Sequence, residues 1–371
     1  MTTPPRPGIA PGAPPAPARR AARRALLRGA GLLAGGWAAA GAGCALPWSQ
    51  SPLGQGRGGE VSLVYGSEGN IVALSVDGRT RRQLTRVGAG EAARDPAWSP
   101  DGKRIAYSLM GAFPTPTRDG VMAMPAADVW IMDASGADPR VAVAHEGPGV
   151  RYESPVWAPD GASLYVSQVV PTLEYGVLRD RVAGVLRVPL DGSVGQRRLV
   201  IPEGTVPGVS ADGGRLVCLL FREDGRPSLA VADADGGHLT TLVPWESLPV
   251  MMAPPRFSPD GRRIVFTAFL EDESTPTGQR RSLGEGLRGA FSPRPALAHG
   301  TPTDLFVVGS DGAGLRRMTT LGAGEAAGVW SPDGAKLAVL THDSFFVAET
   351  DGRNPVRIEA RGGLGAVDWR R

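Results

Sequence analysis

The sequence predicts an all-β protein built from repeated four-stranded units. Three observations predict this class: a turn motif that recurs five times, the same order of short apolar strands after each copy, and an abundance of turn-forming residues. Of the 371 residues, 52 are glycine and 34 are proline. Both residues interrupt helices and are enriched in turns, so the composition excludes a protein of long helices.

The recurring motif is a tight turn of the type Trp-Ser-Pro-Asp-Gly with a strand on either side. Its proline sets φ, its aspartate caps the turn and its glycine supplies a positive φ. The five copies are Pro96–Gly102, Pro155–Gly161, Pro207–Gly213, Pro255–Gly261 and Gly328–Gly334. We expect the motif tryptophans, together with Trp369 near the C-terminus, to pack between neighbouring units.

Two more strands follow each hairpin, so each unit has four strands, here called a to d in chain order. The first unit, Val61–Val87, lacks strand a, and the last residues, Gly365–Trp369, supply a strand a with nothing after it. Joining the two completes six units. We therefore predict a six-bladed β-propeller of four-stranded blades, closed by pairing of the C-terminal strand with the N-terminal blade, which removes exposed sheet edges.

The order of motif, apolar strand, Asp-Gly turn and final strand resembles the TolB-like propeller family, whose repeats are WD40-like. The resemblance covers residues 60–371, which we take as the propeller domain. It implies a role in protein assembly at the bacterial cell envelope. The α/β domain that precedes the propeller in that family is not visible here, so the resemblance is to the propeller alone.

Residues 1–43 have the three parts of a signal peptide: a basic segment, the uncharged stretch Gly29–Gly43 and small residues at its end. Arg23 and Arg24, followed closely by two leucines and Arg28, resemble the twin-arginine export motif. The alternative is an ordinary secretory signal with two arginine pairs. Either route predicts an exported protein.

Cys44 follows small residues directly after this stretch, as in the lipobox of bacterial lipoproteins. A lipidated Cys44 would hold the protein at the outer face of the cytoplasmic membrane or in the periplasm. Cleavage after Ala42 is the alternative and would release a soluble secreted protein. Residues 44–59 are rich in Gly, Pro and Ser, so we expect them to form a flexible tether.

The basic net charge comes from the leader. Residues 1–59 hold seven of the 40 basic residues and no acidic one, so the rest of the chain is net acidic. A nucleic-acid partner is therefore not predicted.

Insertions between strands b and c interrupt the repeat at Gly111–Ala127, Val170–Ala183 and Glu271–Pro302. In an antiparallel blade the b–c and d–a connections emerge on the same face of the ring. We predict that this face binds the partner, since binding residues are usually carried on such loops, and exposed aromatic and charged side chains contribute most there. The candidate contact residues are Phe113, Arg118, Tyr152, Glu174, Tyr175, Arg179, Trp245, Phe291 and His299.

A second group of candidates concerns the mouth of the central channel. Arg94 and Asp95 lie beside the first complete inner strand. Two d–a connectors share the sequence Gly-Ala-Gly-Glu-Ala-Ala, which places Glu91 and Glu325 at equivalent positions. We expect these four residues to face the mouth of the ring.

The sequence contains no Gly-x-Ser-x-Gly nucleophile elbow, and its four histidines are scattered. We therefore predict no catalytic residue, metal or cofactor. The predicted function is a non-enzymatic, monomeric binding or scaffold module at the cell envelope, with a protein, peptide or glycan partner. The alternative is a metal-dependent lactonase or a lyase with a site in the central channel, which would need several inward oxygen ligands.

Overall fold

The computed structural model describes residues 60–112, 125–174, 177–191, 196–221, 226–250, 253–269, 302–359, 361–363 and 365–371. All of them belong to one compact unit, Trp48–Arg371. The regular structure of these ranges consists of 24 β-strands. The prediction of an all-β protein is therefore confirmed.

The first sheet has the strand order β24-β1-β2-β3. Its strands are β1 (Val61–Ser67), β2 (Asn70–Ser75), β3 (Arg81–Gln83) and β24 (Val367–Trp369). β24 is antiparallel to β1, with Leu63 opposite Trp369 and Tyr65 opposite Val367. The predicted pairing of the C-terminal strand with the first blade is confirmed.

The second sheet has eight strands in two antiparallel groups of four. Its strands are β4 (Ala92–Trp98), β5 (Arg104–Met110), β6 (Ala127–Asp133), β7 (Arg140–Val143), β8 (Arg151–Trp157), β9 (Ser163–Glu174), β10 (Val177–Pro189) and β11 (Arg198–Pro202). One parallel residue pair, Ala127 with Arg151, joins the two groups.

Three further sheets have four antiparallel strands each. Their strands are β12 (Gly204–Val209), β13 (Arg215–Phe221), β14 (Pro227–Asp233), β15 (Thr240–Val243), β16 (Arg256–Phe257), β17 (Arg263–Phe269), β18 (Thr303–Gly309), β19 (Arg316–Arg317), β20 (Ala327–Trp330), β21 (Lys336–Leu340), β22 (Phe345–Glu349) and β23 (Val356–Glu359). The fold is a propeller of four-stranded blades. The described strands form five sheets rather than six, because the pair between β6 and β8 merges two groups.

The motif turns are held by hydrogen bonds within the motif. The Ser99 hydroxyl donates to Asp101 Oδ1 at 2.6 Å, and the N–H of Arg104 donates to Ser99 Oγ at 2.9 Å. Gly102 supplies the positive φ of 65°. The Ser99 hydroxyl, and then the N–H of Lys103, hold the pKa of Asp101 below its usual value of 3.8. Equivalent serine hydroxyls lower the pKa of three other motif aspartates, Asp212, Asp260 and Asp333.

Arginines of the preceding blade lie over several of the motif aromatic rings. The guanidinium carbon of Arg104 lies 4.6 Å from the ring centre of Trp157, and its Nη2 donates to Gly161 O at 3.2 Å. Arg263 lies over Trp330 at the same distance of 4.6 Å. Such contacts combine cation–π attraction with burial of the ring.

The motif tryptophans pack between blades, as predicted. All four are buried, with at most 8% exposure. Trp98 Nε1 donates to Ser62 O on β1 at 3.1 Å, and Trp157 Nε1 donates to Ala97 O on β4 at 3.0 Å. Each of these two side chains thus bonds to the neighbouring blade.

One predicted loop insertion is mostly strand. The β9–β10 ladder runs from Val170 opposite Val182 to Glu174 opposite Val177, with a register shift between Leu178 and Asp180. Residues 170–174 and 177–183 therefore form a two-stranded ribbon that extends blade β8–β11, which corrects the expectation of an irregular loop. Most of the other two insertions, Gly111–Ala127 and Glu271–Pro302, lies outside the described residues.

Candidate functional site

The inner strand of each blade lines a central channel. β4, β8, β12, β16, β20 and β24 contact one another in that order, and β24 contacts β4. The motif turns, each at the end of an inner strand, lie at one end of the channel, and we call this side the turn face. The opposite ends of the strands, where β1, β5, β9, β17 and β21 end, lie at the other end of the channel, and we call this side the insertion face.

One position on each inner strand, directly before the motif aromatic or its equivalent, distinguishes the blades. Its six occupants are Ala97, Val156, Gly208, Arg256, Val329 and Asp368. Four of them are small or apolar, and two carry opposite charges. Charge in this layer of the channel is thus confined to β16 and β24.

A cavity of about 290 Å³ lies at the turn-face end of the channel. We call it the turn-face cavity. Arg256, Asp368 and Arg371 contribute to its walls, together with Val156, Val209 and Val329. Its aromatic lining consists of Trp98, Trp157, Phe257, Trp330 and Trp369. The cavity is therefore an apolar, aromatic chamber with two cationic groups and one carboxyl group.

Arg256 is the buried cation of this cavity, with 9% exposure. Its Nη1 donates to Pro207 O at 3.3 Å and to Pro255 O at 3.2 Å. Burial lowers the pKa of Arg256, and the charges of Asp368 and Asp95 oppose this effect. Within the described residues, its side chain forms no ion pair.

Two carboxylates connect the last strand to β4. Asp368 Oδ2 accepts a hydrogen bond from the N–H of Trp98 at 2.7 Å. Asp95 Oδ1 accepts one from the N–H of Ala366 at 2.9 Å, and its Oδ2 accepts one from the Ser154 hydroxyl at 3.3 Å. Burial raises the pKa of Asp368, and the charge of Arg256 opposes the rise.

A second cavity, of about 480 Å³, opens on the insertion face between the β1–β2 turn, the β21–β22 turn and the start of β4. We call it the insertion-face notch. Its charged lining residues are Glu68, Arg94, His342, Asp343 and Arg361. Arg361 Nη1 lies 3.9 Å from Glu68 Oε1, and both side chains are largely exposed. The notch therefore offers groups of both signs to solvent.

The structure separates the four residues predicted for the channel mouth. Arg94 lines the notch, and its side chain has no hydrogen bond or ion pair with the described residues. Asp95 is buried, with 7% exposure, between inner strands. Glu91 Oε2 accepts the N–H of Gly88 at 2.7 Å within its own turn. Neither Glu91 nor Glu325 lines the two cavities described above.

Two predicted contact residues are buried, so their expected exposure is wrong. Tyr152 is 1% exposed, lies in β8 and accepts a hydrogen bond from Gln168 Nε2 at 3.0 Å. Trp245 is 8% exposed, because the start of the β15–β16 connection folds onto the core. The main chain of Glu174 and Arg179 lies in β9 and β10. The predicted residues outside the described ranges are Phe113, Arg118, Tyr175, Phe291, His299, Cys44, Arg23 and Arg24.

Sequence reasoning missed Arg256 and Asp368. The available signal was a charged residue directly before a motif aromatic, in Pro-Arg-Phe-Ser and in Val-Asp-Trp, where other copies have Ala or Val. In the described part of the chain, no group of three or more His, Cys, Asp or Glu side chains is placed to hold a metal ion. None of the described segments is a helix long and apolar enough for a membrane crossing.

The curated proteins that resemble the chain in sequence are Tol-Pal system proteins. The chain is 29% identical over 128 residues to the Tol-Pal system protein TolB of Anaeromyxobacter dehalogenans strain 2CP-1. The alignment covers 31% of this chain and 29% of that protein. The chain thus spans less than a third of the length of the curated relatives it matches. No protein-family model matches it.

Two solved structures share the fold. TolB from Acinetobacter baumannii superposes with a TM-score of 0.53 and 14% identity over 83% of this chain and 66% of that chain. The putative TolB from Agrobacterium tumefaciens gives a TM-score of 0.53 and 19% identity over 83% and 94% of the two chains. At these identities the likeness establishes the fold alone. Together with the sequence similarity over 31% of the chain, it supports a β-propeller that resembles TolB.

Proposed function

We propose that this protein is an exported, non-enzymatic six-bladed propeller that binds a protein or peptide partner at the cell envelope through its insertion face. The observation that carries the proposal is the insertion-face notch. It exposes charged groups of both signs, and the side chain of Arg94 has no partner among the described residues. Mixed exposed charge suits a specific protein contact, since complementary charges fix orientation and select the partner.

The proposed count of six blades follows from how the sheets are joined. A single residue pair, Ala127 with Arg151, joins the two halves of the eight-stranded sheet, whereas strands within each half pair over several residues. Counting each half as one blade gives six blades. The cyclic contacts of the six inner strands fit the same count.

The alternative, a lactonase or lyase with a metal in the channel, is less well supported by the residues that line it. Such a site needs several oxygen ligands directed at one point. The turn-face cavity contains a single carboxyl group, that of Asp368, and two arginines, Arg256 and Arg371. This donor set suits binding of an anionic group better than ligation of a cation.

The proposed envelope location is supported by the similarity to a Tol-Pal system protein and by the export signal in residues 1–43. Arg23 and Arg24 would direct twin-arginine export, and lipid on Cys44 would anchor the protein, as a monomer, through the tether 44–59. Intact mass and membrane fractionation of the wild type and Cys44→Ala in the native host test the anchor. A soluble wild-type species that begins near Gly43 would refute lipidation.

The binding face is tested by site-specific photo-crosslinking in the native envelope. A photoreactive residue in place of Arg94 should capture a partner protein. The same residue in place of Arg262, an exposed arginine of the turn face, is the matched control and should capture less. Arg94→Glu should also weaken recovery of that partner. Capture from position 262 alone would contradict the proposed face.

A further inference from the structure

In the turn-face cavity, the guanidinium of Arg256 uses only one of its three nitrogens for hydrogen bonds. A guanidinium has five N–H donors, and Nη1 of Arg256 supplies the two hydrogen bonds that the side chain makes. The donors of Nε and Nη2 have no acceptor among the described residues. Neither nitrogen is among the fully buried side-chain atoms that lack a partner, so both keep contact with solvent in the cavity. A ligand that supplies an acceptor can replace that contact with a charge-assisted hydrogen bond.

The charges of the cavity favour an anionic ligand. Arg256 and Arg371 stand against one carboxyl group, Asp368, so the lining is net positive. Arg256 and Asp368 lie on different inner strands, and the two side chains form no ion pair with each other. Asp368 Oδ2 accepts the N–H of Trp98, and the carboxyl group forms no ion pair within the described residues. The cavity thus offers a carboxylate receptor and, on another wall, an acceptor for an N–H group.

The remaining walls suit an apolar side chain. Four tryptophans and Phe257 line the cavity, and aromatic rings bury large apolar areas. A volume of about 290 Å³ is at the lower end of the range for small-molecule pockets, roughly 300–1,000 Å³. It accommodates one or two amino-acid residues rather than a folded domain.

We propose that the turn-face cavity binds an α-carboxylate next to an apolar side chain, with Arg256 holding the carboxylate in a bidentate contact and Asp368 accepting the neighbouring N–H. A free apolar amino acid and the C-terminal residue of a peptide share this chemistry. The site is at the opposite end of the channel from the insertion-face notch. It stands whether or not the proposed envelope partner is found.

The test measures binding to the purified full-length protein by calorimetry and by tryptophan fluorescence, which reports on the cavity because four of its walls are tryptophans. The probes are the peptide Ala-Ala-Leu, the same peptide with a C-terminal amide, and free leucine. The free-acid peptide should bind at least about tenfold more tightly than the amide, because the amide removes the charge-assisted contact. Tighter binding of leucine than of the peptide would assign the site to free amino acids, and the reverse order to peptide C-termini.

Variants connect binding to the named groups. Arg256→Gln should weaken binding of the free-acid peptide by about tenfold to hundredfold, whereas Arg262→Gln, an exposed turn-face control, should leave it unchanged. Asp368→Asn should weaken leucine, which carries an ammonium group, more than the peptide. If circular dichroism shows that Arg256→Gln does not fold, Arg256→Lys is the replacement variant. It keeps the positive charge but lacks the planar, bidentate donors of the guanidinium, so it should still weaken binding.

Three results would overturn the proposal. Equal affinity for the acid and amide peptides would show that the site does not recognise a carboxylate. Unchanged affinity in a folded Arg256 variant would show that Arg256 does not bind the ligand. Absence of binding of all three probes at concentrations of about 10 mM would remove the site, since an affinity weaker than that corresponds to no specific recognition at ordinary concentrations.

Discussion

Asp368 accepts the backbone N–H of Trp98 at 2.7 Å, so the last strand of the chain supplies a side-chain acceptor to the first complete inner strand. In the opposite direction, Asp95 on β4 accepts a hydrogen bond from the N–H of Ala366, directly before β24, at 2.9 Å. Each of the two neighbouring inner strands therefore contributes one carboxylate to the main chain of the other. These contacts supplement the β1–β24 ladder, which is only three residue pairs long.

Removing one of these carboxylates should loosen ring closure. Asp95→Ala leaves the buried N–H of Ala366 and the Ser154 hydroxyl without their acceptor, which costs about 1–3 kcal/mol. Asp95→Asn keeps one acceptor oxygen and tolerates the positive φ of 52° at this position, so it should cost less. Urea unfolding of both variants measures the difference. Equal losses would show that the hydrogen bond contributes little.

A glycine in the β2–β3 turn allows the first and last blades to approach closely. Gly78 has φ of +72°, and a Cβ there would lie 2.1 Å from Ile358 O on β23. Gly314 has a similar φ of +67° but no neighbouring atom within 4 Å of an added Cβ. Gly314→Ala should cost about 1–2 kcal/mol from backbone strain alone. Gly78→Ala should cost clearly more, about 3 kcal/mol or above, because the backbone of another blade must also move.

The matched pair is compared by thermal and urea unfolding of the same preparation. A Gly78→Ala loss no larger than that of Gly314→Ala would contradict the close approach of β23 to the β2–β3 turn.

The arginine–aromatic contacts between blades are tested at two adjacent residues. Arg263 lies over Trp330 of the next blade, at 4.6 Å from the ring centre, whereas the side chain of Arg262 is exposed. Arg263→Gln should destabilise the protein by about 0.5–2 kcal/mol, because it removes a partly buried cation–π contact. Arg262→Gln should change stability by less than about 0.5 kcal/mol. Unfolding midpoints of the two variants decide the matter, and similar values would argue against the contact.

The motif turns should make stability depend on acid pH. The folded pKa of Asp101 is lowered from 3.8, first by the hydrogen bond from Ser99 and then by the N–H of Lys103. For a lowered carboxyl pKa, the stabilisation is fully present above the unfolded pKa and is lost as pH falls through the folded pKa. Ser99→Ala should therefore be less stable than the wild type at neutral pH, and the difference should shrink below pH 3.8.

This dependence is measured by urea unfolding from pH 7 to pH 3. The second motif copy already has Ala158 in place of serine, so Ala158→Ser is the complementary variant and should gain stability over the same range. Asp368 acts in the opposite direction: its pKa is raised by burial, so its ionisation opposes folding above the folded pKa and the penalty disappears as pH falls. A Ser99→Ala difference that grows in acid would contradict the proposed turn hydrogen bonds.

The blades could be predicted because their signals are local. A Ser-x-Asp-Gly turn fixes its own geometry through bonds between residues two and five positions apart, such as Ser99 to Asp101 and Arg104 to Ser99. The closing strand followed from the missing strand a of the first unit. Both inferences needed only repetition along the chain.

The functional surfaces were harder to predict because they depend on residues that differ between the repeats. Alignment of the motif copies draws attention to shared residues, so Arg256, at the variable position before the aromatic, was overlooked. Tyr152 was assigned to a loop, but β8 begins at Arg151 and carries the ring into the core. The insertion Val170–Ala183 was assigned to a loop, but the β9–β10 ladder continues into it, with Pro171 opposite Arg181.

The β1–β24 ladder also determines when the protein can finish folding. The contact between Glu60 and Arg370 joins residues 310 positions apart, and the ladder joins partners at a comparable separation. Such non-local pairing forms slowly, because the entropy of closing a very long loop is lost before the contact contributes any favourable free energy. During synthesis the edge of β1 stays open until the last strand has left the ribosome, and an unpaired edge is a template for aggregation. A host cell would therefore need to protect this edge for nearly the whole of translation.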